Sequence, residues 1–226
     1  MKMFVTALVL PRHAPPHRSL DAYFAHFQLL VDAGVPLCVF LDERIPDTLP
    51  RANHVYVHRT SMDGRWMDPS CTLPPNRNLT KDTVDYMSIQ LSKLWFVHQA
   101  TELYPDVSTF AWIDFGAFHM FHDVPKCQRA LQSIAARAFP STIVIPGCWP
   151  RGEYPIWDSI CWRFCGTFFI GERNVLRAAY TRQCELVNDH LPNLTWEVNY
   201  WTLMEEFFTW VPGDHNDLLV NLPENL

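Results

Sequence analysis

The first 41 residues constrain the fold most, because their pattern predicts a buried strand, a helix and a second buried strand. Residues 3–10 are apolar except for Thr6 and are closed by Pro11, which is the pattern of a strand covered on both faces. Ser19 can cap a helix whose apolar positions run from Leu20 to Val31 at helical spacing, and residues 37–41 form the next apolar run. A strand, helix and strand of this length form a βαβ unit, which requires a parallel sheet.

The rest of the chain continues to alternate between strand and helix patterns. Beyond a third strand at 54–58 and a loop-like stretch at 60–80, the pattern predicts one long helix over about 82–103, a strand at 110–113, a helix at about 125–139, strands at 142–145 and 165–171, a helix at about 173–190 and a last helix from 195 or 196 to 208 or 210. We find no internal repeat and no low-complexity linker. The sequence therefore predicts a single α/β domain over 1–226, with a mostly parallel central sheet flanked by helices, and its abrupt tail leaves open that it is part of a longer chain.

Composition excludes several classes of protein. Apolar residues make up 48% and charged residues 19% of the chain, which excludes disorder and coiled coil. A net charge of −6 argues against nucleic-acid binding, and no apolar run approaches the ~20 residues that span a membrane. The seven cysteines are odd in number and contain no Cys-x-x-Cys pair, so we expect free thiols and a cytoplasmic location.

Three common nucleotide and hydrolase motifs are missing. No Gly-x-Gly-x-x-Gly follows the first strand, so a Rossmann dinucleotide site is unsupported. The usual phosphate loop, Gly-x4-Gly-Lys-Ser/Thr, and the hydrolase elbow, Gly-x-Ser-x-Gly, are also absent from the sequence.

Acidic residues follow two of the predicted strands. Ligands of α/β sheets bind beyond the carboxyl ends of the strands, where the strand order reverses, so the loop after the first strand, Asp42 and Asp114 are expected near one another. Asp114 follows the apolar strand at 110–113, and its carboxylate can hold a divalent cation against a diphosphate. The competing interpretation is an aspartate that caps the next turn, with Gly116 supplying the turn geometry.

Three further residues have both a chemical and a structural interpretation. His215, in a polar stretch near the end of the chain, is either a ligand suited to Mn²⁺ or a solvated loop histidine. Lys93 lies at helical spacing from Asp85 and either neutralises a phosphate, pairs with Asp85 or sits on a solvated helix face. Glu197, among aromatic residues, either binds sugar hydroxyls or acts as a base, or is an acid favoured at a helix start.

Four segments together carry a family resemblance: Trp-Ile-Asp-Phe-Gly at 112–116, Cys-Gly-Thr-Phe-Phe-Ile-Gly at 165–171, Trp-Glu-Val-Asn-Tyr-Trp at 196–201 and Gly-Asp-His-Asn-Asp at 213–217. In this order they resemble nucleotide-sugar glycosyltransferases of the GT-A fold. The likeness is greatest to the small transferases of large algal (chlorella-type) DNA viruses and to the bacterial HtrL/YibB-like group.

The resemblance implies a metal-dependent hexosyl- or deoxyhexosyltransferase that moves a sugar from a UDP-sugar to a hydroxyl of a glycan or glycoprotein. It implies a nucleotide-binding half at about 1–120, a donor-sugar and acceptor half at about 121–226, and host cytoplasm as the location if the protein is viral. The implied residues are Asp114 and His215 for Mn²⁺ or Mg²⁺, Asp114 and Glu197 for catalysis, and Thr6, Ala7, Leu8, Asp42, Asp85, Lys93, Gly166 and Thr167 for the nucleotide and donor sugar.

One departure from the family pattern keeps two other functions open. The second acid of the family's Asp-x-Asp pair is Gly116 here, which favours a catalytically silent module that binds nucleotide or carbohydrate. A nucleotidyltransferase that makes sugar nucleotides is a third possibility. The loop at 11–16, which follows the first strand, contains no glycine and argues against this function, because nucleotidyltransferases of related fold usually carry a glycine-rich, basic loop there.

Overall fold

A computed structural model describes the chain except for residues 14, 15, 17, 47, 48, 51, 63–65, 67, 215, 217, 220, 221 and 223–226. Seven strands and six α-helices are present in this described part. In chain order they are β1 Lys2–Leu8, α1 Leu20–Val31, β2 Leu37–Asp42, β3 Val55–Thr60, α2 Val84–Leu91, α3 Lys93–Leu103, β4 Thr109–Ile113, α4 Val124–Ala136, β5 Ile143–Gly147, β6 Phe168–Glu172, α5 Arg173–His190, α6 Glu197–Trp201 and β7 Phe208–Pro212.

The seven strands form one sheet in the order β3-β2-β1-β4-β6-β5-β7. Four neighbouring pairs are parallel, and β6 runs antiparallel to both of its neighbours, β4 and β5. The chain builds outward from β1 to β3 and then returns to place β4 on the other side of β1, so the strand order reverses between β1 and β4. The predicted fold class, a single α/β domain with a mostly parallel sheet, is confirmed.

Helices cover both faces of the sheet, as the continuous apolar strands require. On one face, the apolar residues of α1 and α4, such as Phe27 and Leu131, pack with Phe4 of β1. On the other face, α2, α3, α5 and α6 pack against residues that alternate with these, including Val5 and Trp112. Alternate side chains of β1 are therefore buried in two separate hydrophobic cores, one on each face of the sheet.

The predicted long helix at 82–103 is wrong in one respect, because the chain breaks it at Ser92. Ser92 has φ −80° and ψ 0°, and it separates α2 from α3. The Ser88 and Ser92 hydroxyls donate hydrogen bonds to the carbonyls of Val84 and Ser88, each four residues earlier. Such back-bonding bends helices. Lys93 consequently becomes the first residue of a new helix rather than a mid-helix residue.

The predicted last helix is also wrong beyond its first turns. After α6 the chain forms a 3-10 segment, Thr202–Phe207, in which Met204 has a non-helical backbone. The residues that follow, Phe-Thr-Trp-Val, favour a strand through their β-branched and aromatic side chains, and they form β7 beside β5. A seventh strand therefore stands where the sequence predicted helix.

No helix in the described ranges has both the length and the apolar character that a membrane crossing needs. The seven cysteines are free thiols, and the Sγ atoms of Cys148 and Cys165 lie 3.6 Å apart.

Candidate active site

A cleft of ≈ 360 Å³ opens at the point where the strand order reverses. The end of β1 and the loop after it form one wall, and the residues that follow β4 form the next. Because β6 is antiparallel, the two residues just before it, Gly166 and Thr167, meet the carboxyl end of β4 and line the same cleft. Crevices at such a reversal are where α/β sheets bind ligands.

Lys93 is the buried centre of the cleft's polar cluster. Its ammonium group donates to Glu197 Oε1 at 2.8 Å and to the Gly166 carbonyl at 2.9 Å, and it lies 3.0 Å from Asp114 Oδ1. An ammonium group has three protons, so each of them has an acceptor from the protein. The side chain is only 4% exposed, so the interpretation of Lys93 as a residue on a solvated helix face is wrong.

Two carboxylates control the protonation of Lys93. Burial by itself would lower its pKa, but the nearby charges of Asp114 and Glu197 and their hydrogen bonds outweigh burial and raise the pKa above 10.5. Lys93 is therefore a permanent cation at neutral pH.

Asp114 presents one oxygen to the protein and leaves the other more open. Trp112 Nε1 donates to Oδ1 at 2.7 Å, and the Lys93 ammonium contacts the same oxygen. Among the described residues, Oδ2 has one long contact of 3.4 Å, to Lys93 Nζ, and a third of the side chain is exposed. The carboxylate is thus held in a fixed orientation with one oxygen available to a ligand.

Gly166 is packed tightly against the ion pair of Lys93 and Glu197. A Cβ atom added at Gly166 would lie 2.2 Å from Glu197 Oε1 and 3.1 Å from Lys93 Nζ. A side chain at this position would push Glu197 away, so the site requires glycine here.

Five of the eight residues predicted to bind nucleotide or donor line this cleft and three do not. Those that line it are Ala7, Leu8, Lys93, Gly166 and Thr167, and those outside it are Thr6, Asp42 and Asp85. Thr6 is fully buried within β1, and its hydroxyl has no hydrogen-bond partner in the part of the chain that the structure describes. Thr6 therefore stands beneath the cleft wall rather than on it.

Asp42 and Asp85 lie outside this cleft and hold the loop that follows β1. Asp42 accepts from Leu10 N at 3.0 Å and pairs with Arg44 at 2.7 Å; burial would raise its pKa, but these bonds outweigh burial and lower it. Asp42 and Leu10 line a neighbouring pocket. Asp85 accepts from Arg12 N and His13 N, each at 2.6 Å. Asp85 thus pairs with this loop rather than with Lys93.

The predicted metal ligand His215 lies outside the described residues. Among the described ones, no group of three or more His, Cys, Asp and Glu side chains is arranged to hold an ion. Small divalent cations are often held by one or two carboxylates together with substrate phosphates and water. Asp114 Oδ2 fits that requirement as a single protein oxygen, provided that the phosphates arrive with the ion.

Several cleft residues escaped the sequence analysis. Arg18, Tyr23 and His119 line the cleft from the loop after β1, from α1 and from the turn after β4. Trp112 could have been predicted from the sequence, because it lies two residues before Asp114 and alternate residues of a strand point to the same side. For Arg18 and Tyr23 the sequence holds no such signal, because only the packing of α1 brings them to the cleft.

Comparison with known proteins finds solved structures that match this fold. No protein-family model and no curated protein matches the sequence. A glycosyltransferase involved in the glycosylation of the major capsid of PBCV-1 matches with 11% identity and a TM-score of 0.47, over 94% of this chain and 81% of that one. Rv0371c from Mycobacterium tuberculosis H37Rv matches with 12% identity and a TM-score of 0.41, over 94% and 89%.

A second structure of Rv0371c, in complex with manganese, matches with 12% identity and a TM-score of 0.40 over the same shares of the chains. The predicted resemblance is confirmed to the extent that a glycosyltransferase stands among the matching structures. At these TM-scores the likeness carries no argument about activity, which rests on the geometry of the cleft.

Proposed function

We propose that this protein is a glycosyltransferase that moves a hexosyl or deoxyhexosyl residue from a UDP-sugar to a hydroxyl group of a glycan or glycoprotein. Mn²⁺ or Mg²⁺ is the proposed cofactor. The cysteine pattern of the sequence supports a cytoplasmic location as part of the proposal.

The observation that carries this proposal is the cluster of Lys93, Asp114 and Glu197 at the reversal of strand order. It combines a buried cation, a partly exposed carboxylate and a buried carboxylate within one cleft. Transfer from a sugar nucleotide needs such a set, because negative charge grows on the leaving diphosphate while positive charge grows on the sugar.

Each residue has a defined task in the proposed reaction. A divalent ion bound with the donor would neutralise charge on the leaving diphosphate, and Asp114 Oδ2 is its proposed protein ligand. Lys93 holds Asp114 and Glu197 in place through its ammonium group. Glu197, beside Gly166 and Thr167, orients the hydroxyls of the donor sugar and stabilises the positive charge that develops on its ring.

The test is a panel of nucleotide sugars, assayed for UDP release with Mn²⁺ and with a chelator. We expect the wild type to release UDP from at least one UDP-sugar in the presence of Mn²⁺. Asp114→Asn and Glu197→Gln should each lower the rate about 100-fold or more, since each removes charge that the transition state needs. Asp106→Asn, on an exposed residue, is the matched control and should leave the rate unchanged.

Two other results, obtained by a binding assay and by a pyrophosphate assay, would contradict the proposal. Binding of UDP without turnover of any sugar nucleotide would favour the silent binding module. That alternative has one structural observation behind it, since an added Cβ at Gly116 would lie 3.2 Å from the ring of Tyr23, leaving little room for a second acid. Pyrophosphate release from UTP and a sugar phosphate would favour a nucleotidyltransferase.

A further inference from the structure

A diphosphate in the cleft needs a positive charge that Lys93 does not supply. The cleft is lined by three Lys or Arg side chains and by three Asp or Glu side chains, so its charges balance without a ligand. All three ammonium protons of Lys93 are already directed at acceptors of the protein, namely Glu197, Asp114 and the Gly166 carbonyl. Arg18 and Lys81 are the remaining cations among the described lining residues.

Arg18 lines the cleft together with Tyr23. It lies on the loop between β1 and α1. The ring of Tyr23 lies against Gly116, whose added Cβ would be 3.2 Å and 3.3 Å from two ring carbons. Arg18 therefore lines the same cleft as Tyr23 and the turn that directly follows Asp114.

Arg18 and Asp114 line the cleft together with Tyr23 and His119, and their charges act on the pKa values of both. Burial raises the pKa of Tyr23, Arg18 lowers it, and Asp114 raises it. Burial lowers the pKa of His119, and the charges of Arg18 and Asp114 act on it in opposite directions. Within the described ranges, no carboxylate pairs with Arg18.

From this geometry we propose that Arg18 binds the diphosphate of a nucleoside diphosphate. A guanidinium offers two parallel N–H donors that match phosphate oxygens, and Arg18 gives up no ion pair with a described carboxylate when the ligand arrives. The inference rests on the proposed function, and it assigns to Arg18 the phosphate contact that the family resemblance assigned to Lys93.

Lys81 is the weaker candidate for the same contact. Its ammonium lies 4.8 Å from the centre of the Tyr86 ring, where the ring's electrons attract it. A lysine also offers a point charge rather than a planar pair of donors. Lys81→Gln therefore belongs in the experiment as the test of the competing cation.

The experiment measures the affinity of UDP and of uridine, by titration calorimetry, for the wild type, Arg18→Gln, Arg18→Lys, Lys81→Gln and Arg177→Gln. Arg177 is an exposed arginine paired with Glu102 on the surface and serves as the matched control. Arg18→Gln should weaken UDP binding about 10- to 100-fold, because a charged hydrogen bond to phosphate is lost. The affinity for uridine should be the same in Arg18→Gln as in the wild type. The affinity of Arg18→Lys for UDP should lie between those of the wild type and Arg18→Gln.

The outcomes separate this inference from the proposed function. If the wild type binds UDP and Arg18→Gln binds it equally tightly, the assignment of Arg18 is wrong while the proposed function stands. A loss of UDP affinity in Lys81→Gln but not in Arg18→Gln would overturn it in favour of Lys81. If Arg18→Gln weakens uridine as much as UDP, the residue supports the loop rather than the phosphates. A wild type that binds neither ligand would contradict the proposed function itself.

Discussion

Lys93 shows how one buried charge organises the site. Its ammonium joins the first residue of α3 to the turn after β4, to the chain before β6 and to the first residue of α6. These partners lie far apart in sequence, and Glu197 comes 104 positions after Lys93. Removing either the cation or a carboxylate from such a cluster lowers stability, because the opposite charge is then left without its partner.

Replacement of Lys93 should therefore destabilise the fold. Lys93→Met leaves Glu197, whose side chain is 5% exposed, without its cation. We expect the free energy of unfolding in urea to fall by about 3–5 kcal/mol. The double variant Lys93→Met with Glu197→Gln should recover part of that loss, because the unpaired charge is gone. Lys126→Met, at an exposed position of α4, is the control, and a Lys93→Met variant as stable as the wild type would contradict the account.

Sequence patterns reached single residues of the site but not their partners. Asp114 was identifiable because it follows a strongly apolar strand, and Glu197 because it begins a helix among aromatic residues. The ion pair between Lys93 and Glu197 had no local signal, because tertiary packing alone brings the two residues together. One of the interpretations that spacing offered for Lys93, a partner of Asp85, depended on a continuous helix that the chain does not form.

At the scale of elements, the strands were easier to predict than the last helix. The apolar runs of β1, β2 and β4 were recognisable because both faces of the sheet are covered. The break at Ser92 and the strand β7 were missed because hydroxyl-to-carbonyl bonds and pairing with β5 override helical periodicity. The reversed direction of β6 was also beyond the sequence pattern, and it brings Gly166 and Thr167 to the cleft.

Asp85 anchors the loop after β1 to the first turn of α2. Its Oδ2 accepts from two backbone N–H groups, and its Oδ1 lies 3.1 Å from His13 Nδ1. Burial by itself would raise the pKa of Asp85, but the hydrogen bonds from Arg12 and His13 outweigh burial and lower it below 3.8. The ionised form therefore stabilises the folded state.

Asp85→Asn should cost about 1.5–3 kcal/mol of unfolding free energy at neutral pH, since hydrogen bonds to a charged group are weakened. A lowered pKa adds stability above the unfolded value of 3.8, and this stability is lost as the pH falls through the folded value. The difference between wild type and variant should thus be constant near neutrality and shrink below pH 3.8. Unfolding curves at several pH values measure it. Asp106→Asn is the control, and a difference that does not depend on pH would argue against the anchor.

For the whole molecule, the order of the strands determines where the ligand-binding cleft lies. The reversal between β1 and β4 opens a cleft at the carboxyl edge of the sheet, and every residue of the polar cluster reaches it from a different element. The sequence predicted that the loop after β1 and Asp114 would meet there, and the structure brings them together. Asp42 lies instead at the neighbouring pocket, because Arg44 and the backbone of Leu10 hold it there.

The central claim is that this cleft binds a nucleoside diphosphate, and amide hydrogen exchange with and without UDP and Mn²⁺ tests it most directly. The account predicts that exchange slows at residues 7–10, 114–119 and 166–167, which line the cleft from three sides of the strand reversal. Protection confined to other parts of the sheet, or no protection by UDP at any concentration that saturates a millimolar site, would contradict it.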